Sequence, residues 1–407
     1  MISNRISRTG AAALVALAVL GPAVAACDDG SSSRKAAASA EQEAGLSLPR
    51  PAGPQAIGED TLHLVDKSRR DLWAPGGGAR ELMVSVFYPA AGGKGRSGDR
   101  APYMSAKESA LLLKAQKLDE KFGAERLASV RTNAVAGARP DKGKHPLVVL
   151  SPGFTLHRAT QTGLAEELAS RGYVVALVDH AYESFGTEFP GKGDSPRMRT
   201  CIACEKVEQA PSGGSGENKM LAKAARNRAA DLSFVVDELT GRKSDYAPLI
   251  DPRRIGAAGH SLGGNAAAVA AGTDHRIRAA ANMDGTFFAP LPTAASGRPL
   301  LMLGTAKGHN PRAKDVTWPR EWQRHDGWKR WLTVADSGHF TFTDFPVLGG
   351  QVGMTDPAAP LSGERSGQIT RGYAAAFFDH HLRGRPAPLL EGPTKANPEV
   401  TFHNPQR

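Results

Sequence analysis

Cysteine is scarce in this chain, three residues in 407, and that scarcity already limits the chemistry. Two of the three form an isolated Cys201-Ile202-Ala203-Cys204 pair with no second pair to complete it, whereas a structural zinc takes about four ligands. No metal is therefore expected, and the pair is either a local disulfide or two free thiols. Aromatic residues make up only 6% of the chain, and the net charge of +10 comes from scattered lysines and arginines. With no long basic run and no aromatics interleaved with the basic residues, a base-stacking surface is not built, so nucleic acid is not an expected partner. The charge reads as a solvated basic surface with a modest preference for anionic surroundings. Glycine-rich phosphate-binding loops and internal repeats are also missing, which removes nucleotide-dependent chemistry and solenoid architectures; no cofactor is expected. What is present is 41% hydrophobic residues, enough for a large core.

The first 26 residues have the layout of an export signal: Arg5 and Arg8, an apolar run from Ala11 to Leu20, then Val24-Ala25-Ala26. The apolar run is too short to span a bilayer comfortably. Cys27 directly follows two alanines, which resembles the lipobox of bacterial lipoproteins and marks Cys27 as a lipidation site. The expected location is outside the cytoplasm, either lipid-anchored to the cell membrane or secreted. From Asp28 to about Ile57 the composition is Ser, Ala, Gly, Pro and charge without period, so residues 27–57 read as a flexible tether and residues 58–407 as one domain.

Within that domain, Leu62–Val65 and Leu82–Tyr88 read as strands joined by the turn-rich 74–78 segment. Beyond them, strand 145–150, helix 161–170 and strand 173–178 make a βαβ unit whose uninterrupted apolar strands belong in a buried parallel sheet. The alternation continues with a helix near 223–239, strands at 255–258, 277–283, 299–303 and 331–334, and a helix at 373–382. This is an α/β fold in a single domain, a mostly parallel central sheet with helices on both faces. Two stretches fall outside the pattern. Residues 187–218, which hold the cysteine pair, read as a surface excursion, and residues 101–135 as an inserted charged helix without chemistry.

Chemistry concentrates at Gly259-His260-Ser261-Leu262-Gly263. The G-x-S-x-G pattern gains weight from its context, because an apolar strand runs into it and an alanine-rich helix leaves it, as in a nucleophile elbow. A serine hydroxyl needs a histidine to take its proton and an acid to orient that histidine. Among the later histidines only His339 lies in a loop directly after a late strand, so it is the candidate base; His260 inside the elbow reads as structural. For the acid, the loop after strand 299–303 begins without a carboxylate, whereas strand 277–283 ends in Asp284. Asp284 is preferred, with Asp315, Asp326 and Asp336 as alternatives. Two backbone amides should hold the oxyanion: Leu262, and Phe154 in the Ser151-Pro152-Gly153-Phe154 loop, since Pro152 has no N–H.

At these residues the chain resembles the secreted, plasma-type platelet-activating-factor acetylhydrolases and their bacterial relatives, within the α/β-hydrolase superfamily. The resemblance runs through His145–Phe154, Leu168–Ala176, Gly259–Gly264, Met283–Gly285 and Gly338–Phe340, with the acid placed one strand early. It implies a metal-free Ser/His/Asp esterase that removes short or oxidised acyl groups from phospholipid-like esters, so the expected partners are a lipid or small ester and, through Cys27, a membrane. Pro152 and the Cys201/Cys204 loop depart from the family on the substrate side. A broad-specificity lipase or polyesterase, or a binding lipoprotein that kept the fold and lost turnover, are the alternative readings. The sequence leaves oligomeric state open.

Overall fold

The computed structural model describes residues 45–92, 99–191, 193, 195–211, 215–295 and 297–405. The expected signal, residues 1–26, and the expected lipid site Cys27 lie outside them. Strand β1 (Ala56–Arg70) pairs antiparallel with β2 (Ala79–Ala90), and both join a sheet that contains β3 (Val135–Ala136), β4 (His145–Ser151), β5 (Val174–His180), β8 (Ile250–His260), β9 (Ile277–Met283), β10 (Leu300–Thr305), β11 (Lys329–Val334) and β12 (Val400–His403). A separate small hairpin holds β6 (Thr187–Phe189) and β7 (Arg197–Arg199). The ten-stranded sheet runs β12-β11-β10-β9-β8-β4-β5-β2-β1-β3. From β5 across to β11 every neighbouring pair is parallel.

The apolar runs of the central strands follow from burial on both faces. Along β4, Leu147 and Val149 enter one core while Val148 and Leu150 enter the other. The first core is closed by α5 (Ser215–Thr240) and α6 (Leu262–Thr273), the second by α3 (Thr162–Ser170) and α9 (Gly363–Arg383). This is the expected α/β-hydrolase architecture. The remaining helices are α1 (Ala106–Ala115), α2 (Ala124–Ala128), α4 (Ile202–Glu208), α7 (Thr317–Arg324) and α8 (Phe345–Gly350).

Three expectations need correction. The tether reading of 27–57 fails from residue 45 onward. Leu46 and Leu48 are buried against Leu112, Leu127 and Val130, and the backbone bonds that of Arg131 in both directions, Leu48 N to Arg131 O at 2.9 Å and Arg131 N to Leu46 O at 2.8 Å. Two leucines in a polar stretch carry no period, so composition alone misjudged them. The 101–135 insertion is two helices rather than one, and their apolar sides bury Leu112, Leu113 and Leu127. The 187–218 excursion is partly folded: Phe189 and Ala203 are buried, and Cys201 and Cys204 form a disulfide.

Replacing Leu48 by Ala removes a buried side chain from this packed arm, and chemical denaturation should show a loss of about 2–5 kcal/mol. A free tether predicts no change.

Candidate active site

Ser261 stands between β8 and α6 with φ 54° and ψ −126°, a backbone conformation that L-residues seldom adopt and that turns the side chain out above the sheet. Such a turn needs bare neighbours. A Cβ on Gly259 would lie 2.4 Å from the Ser151 carbonyl oxygen, and one on Gly263 only 2.0 Å from the same atom, so only glycine lets β8, α6 and β4 converge here. The Ser261 amide donates to Met283 O at 2.7 Å, which ties the elbow to the end of β9 and brings Asp284 alongside.

Those ties assemble a hydrogen-bonded series. The Ser261 hydroxyl lies 2.9 Å from His339 Nε2, and His339 Nδ1 lies 2.7 Å from Asp284 Oδ2. Asp284 is almost wholly buried and has a left-handed backbone, φ 57°. Burial pushes its carboxyl up, but the hydrogen bonds and charge of His309 and His339 outweigh this and hold it well below the usual range. It is therefore an anion facing the His339 ring. Asp315 does not reach His339; it bonds His309, Thr286 and Thr317 instead. Asp336 sits in the turn leading to His339, where its carbonyl accepts from Leu361 N at 2.8 Å.

His260 is fully buried, and its Nε2 lies 2.7 Å from the His339 carbonyl. Burial and the nearby His339 push it down to about 3, so it is a neutral ring that donates this bond and fixes the backbone of His339. The loop carrying Phe154 passes close by: a Cβ on Gly153 would sit 2.8 Å from His260 Nδ1. Neither the Phe154 amide nor the Leu262 amide donates to a backbone carbonyl among the described residues, and Leu262 opens α6, where N–H groups lack intrahelical partners.

The Phe154 loop rests on a buried ionic network that inspection of the sequence had missed. Arg228 donates to Pro152 O at 2.6 Å and to Glu183 Oε2 at 2.7 Å. Glu183 also binds Arg80, which in turn holds Asp231 and Asp71. The Glu183 carbonyl accepts from Thr155 N at 2.9 Å. Every charge here has an opposite partner, the condition under which burial of ions is tolerated. Apart from Asp71, nine residues before Arg80, the paired charges lie 45 to 151 residues apart along the chain, so no local pattern marks them.

A cavity of about 140 Å³ opens beside His339 and Phe340. Its walls are apolar, with Leu113, Phe122, Phe345 and Met354 among them, so the 101–135 insertion lines the site after all. The insertion is stapled to the body at both ends. Tyr103 donates to Asp344 at 3.3 Å, and Asn133 donates through its amide N–H and side chain to Glu166 at 2.6 and 2.7 Å. Burial raises both carboxyls to about 7. No grouping of residues suited to a metal ion occurs among the described residues.

The sequence profile of the family described as "Platelet-activating factor acetylhydrolase, isoform II" matches residues 41–209 and 228–355. The chain is 29% identical to a probable 1-alkyl-2-acetylglycerophosphocholine esterase of Arthroderma benhamiae, over 87% of this chain and 93% of that protein. It is 24% identical to the platelet-activating factor acetylhydrolase of Gallus gallus, over 84% and 85% of the two chains. Among solved structures it is similar to a ferulic acid esterase from Streptomyces cinnamoneus, 44% identical, with a TM-score of 0.76 and coverage of 89% of this chain and 100% of that one.

The raised carboxyls at the foot of the insertion give a signed pH dependence. A carboxyl lifted from about 4 to about 7 in the fold stabilises fully below about pH 4 and loses that contribution as pH rises through 7. Stability should therefore decline across that window, and the double variant Glu166→Gln/Asp344→Asn should flatten the decline. Denaturant midpoints measured across the window check this, and an equal slope in both proteins would contradict it.

Proposed function

Because the chain belongs to the platelet-activating factor acetylhydrolase, isoform II, family and is an ester-hydrolysing serine hydrolase, as its relatives are, we propose that Ser261 is its nucleophile, His339 its base and Asp284 the acid that orients His339. The observation that carries this reading is the unbroken contact from Ser261 Oγ through both nitrogens of His339 to the buried Asp284 carboxylate.

His339 Nε2 takes the hydroxyl proton as Ser261 Oγ attacks the ester carbonyl, and the Phe154 and Leu262 amides hold the resulting oxyanion. The imidazolium then gives its proton to the departing alkoxide, leaving an acyl-serine. Water enters, His339 removes its proton, and the acid leaves with Ser261 restored. Asp284 stays ionised throughout and favours the imidazolium in both halves of the cycle.

The cavity bears on the substrate. An apolar cavity of roughly 150 Å³ accommodates benzene, and this one is of similar size, so it suits a short or oxidatively shortened acyl chain. Phospholipid-like esters with such chains are the proposed substrates, and the proposed lipid anchor at Cys27 would hold the enzyme at a membrane that presents them. A second reading is favoured by the 44% identical ferulic acid esterase: a single aromatic ring also fills this volume, so an ester of an aromatic acid is the alternative. The complete hydrogen-bonded series argues against a binding protein without turnover.

Hydrolysis of p-nitrophenyl esters from acetate to palmitate, with a short-chain phosphatidylcholine and methyl ferulate alongside, tests the proposal. Short esters should turn over faster than palmitate. Ser261→Ala should lower kcat on the order of 10⁶-fold, and Asp284→Asn by about 10⁴-fold. Preference for palmitate would contradict the cavity argument, and preference for the ferulate over the phospholipid would favour the second reading.

A further inference from the structure

Behind Asp284, on the side away from His339, lies a second histidine that the proposed mechanism does not use. His309 Nδ1 is 2.7 Å from Asp284 Oδ1, and His309 Nε2 is 3.1 Å from Asp315 Oδ2. The Thr305 amide also donates to Asp284 Oδ1 at 2.7 Å. The two oxygens of Asp284 thus have separate duties: Oδ1 takes the two fixed donors, and Oδ2 is left for His339.

The surroundings hold His309 in one pose. Its ring stacks on Trp318, with centroids 4.3 Å apart and planes 24° apart. Trp318 Nε1 donates to Gly285 O at 2.8 Å, next to Asp284, and Trp331 Nε1 donates to His309 O at 2.7 Å. Asp315 is as tightly fixed, accepting from Thr286 Oγ1, Thr317 N and Thr317 Oγ1 at 2.7, 2.6 and 2.5 Å. The titratable groups facing His309 are thus Asp284 from the end of β9 and Asp315 from its own loop. Burial alone would lower the His309 imidazole, but these two carboxylates outweigh it and raise it to about 9. At neutral pH both ring nitrogens are donors, and a fixed cation stands behind the triad acid.

We propose that His309, held between Asp284 and Asp315, is a positioning residue of the hydrolytic reaction: it pins the Asp284 carboxylate through Oδ1 so that Oδ2 meets His339. This rests on the reading of Asp284 as the triad acid. His309 touches no reacting atom and acts through Asp284 alone. Its positive charge also tempers how strongly Asp284 favours the protonated form of the Ser261–His339–Asp284 array.

Two variants separate these effects. His309→Phe keeps a ring against Trp318 but removes the donor and the charge; His309→Asn restores a neutral donor in the place of Nδ1. With p-nitrophenyl acetate, His309→Phe should lower kcat by about 10²-fold, the cost of misplacing a catalytic group by roughly 1 Å, and leave KM within about twofold. His309→Asn should recover most of that loss. In both variants the acidic limb of the kcat/KM profile should move to higher pH by about one unit, because a cation has left the neighbourhood of Asp284. The position of that limb does not depend on how much of the protein is folded, and His309→Asn reads it if His309→Phe folds poorly. Unchanged kcat and an unmoved limb in both variants, beside an inactive Asp284→Asn, would overturn the role of His309 and leave the triad reading intact. An active Asp284→Asn would instead overturn the triad reading and this inference with it.

Discussion

The approach of Gly259 and Gly263 to the Ser151 carbonyl, too close for any side chain, is the constraint on which the rest of the site depends. It lets β4, β8 and α6 meet at one point, so that Ser261 can occupy its left-handed turn. From that point the Ser261 amide reaches the end of β9, which sets Asp284 one strand away. The loop after β4 leaves from the same place and carries Phe154 across the front of His260. The proposed nucleophile, acid and oxyanion loop are therefore referred to one rigid contact, and the late loop bearing His339 is docked onto it through His260. Preorganisation of this kind is what makes oxyanion and triad geometry effective, since nothing has to move as charge develops.

Around that contact the protein buries two groups of charged side chains. The Arg80, Glu183, Arg228 and Asp231 group lies beneath the Phe154 loop, and the His309 and Asp315 pair lies behind Asp284. Replacing such groups by apolar ones often leaves stability unchanged or improved, so burial energy is a poor reason for their presence. Their bonds end on the loop and the carboxylate whose placement the proposed mechanism needs, and that is the better reason. The insertion that walls the cavity is held in the same manner, by Glu166 and Asp344 at its two ends. The scaffold thus spends polar groups wherever a loop, rather than a strand, must be fixed.

Much of this was legible in the chain itself, and the limits of legibility have physical causes. Unbroken apolar runs such as Leu147–Leu150 announce strands buried on both faces, and the elbow is recognisable because its small residues sit between a strand and a helix. Asp284 was singled out by the absence of a carboxylate directly after β10, and the structure sets it against His339. That same loop holds His309 five residues past Gly304, but a single histidine in a loop carries no period, and its bond to Asp284 became visible only in the fold. The packed arm at Leu46 and Leu48, the cavity wall from the 101–135 insertion, and the Arg228 and Glu183 bonds depend on partners far away in sequence, and no local period records them. The state of Cys201 and Cys204 was likewise open until the fold brought their sulfurs together.

The central claim is that Ser261 is activated by His339 and Asp284 to attack an acyl carbonyl. Its most direct test is covalent capture: the protein treated with an alkyl fluorophosphonate, digested and mapped by mass spectrometry. A single adduct on the peptide carrying Ser261, formed rapidly by the parent and very slowly by Asp284→Asn, is the predicted result. An adduct on another serine, or equal labelling rates in the two proteins, would contradict the account.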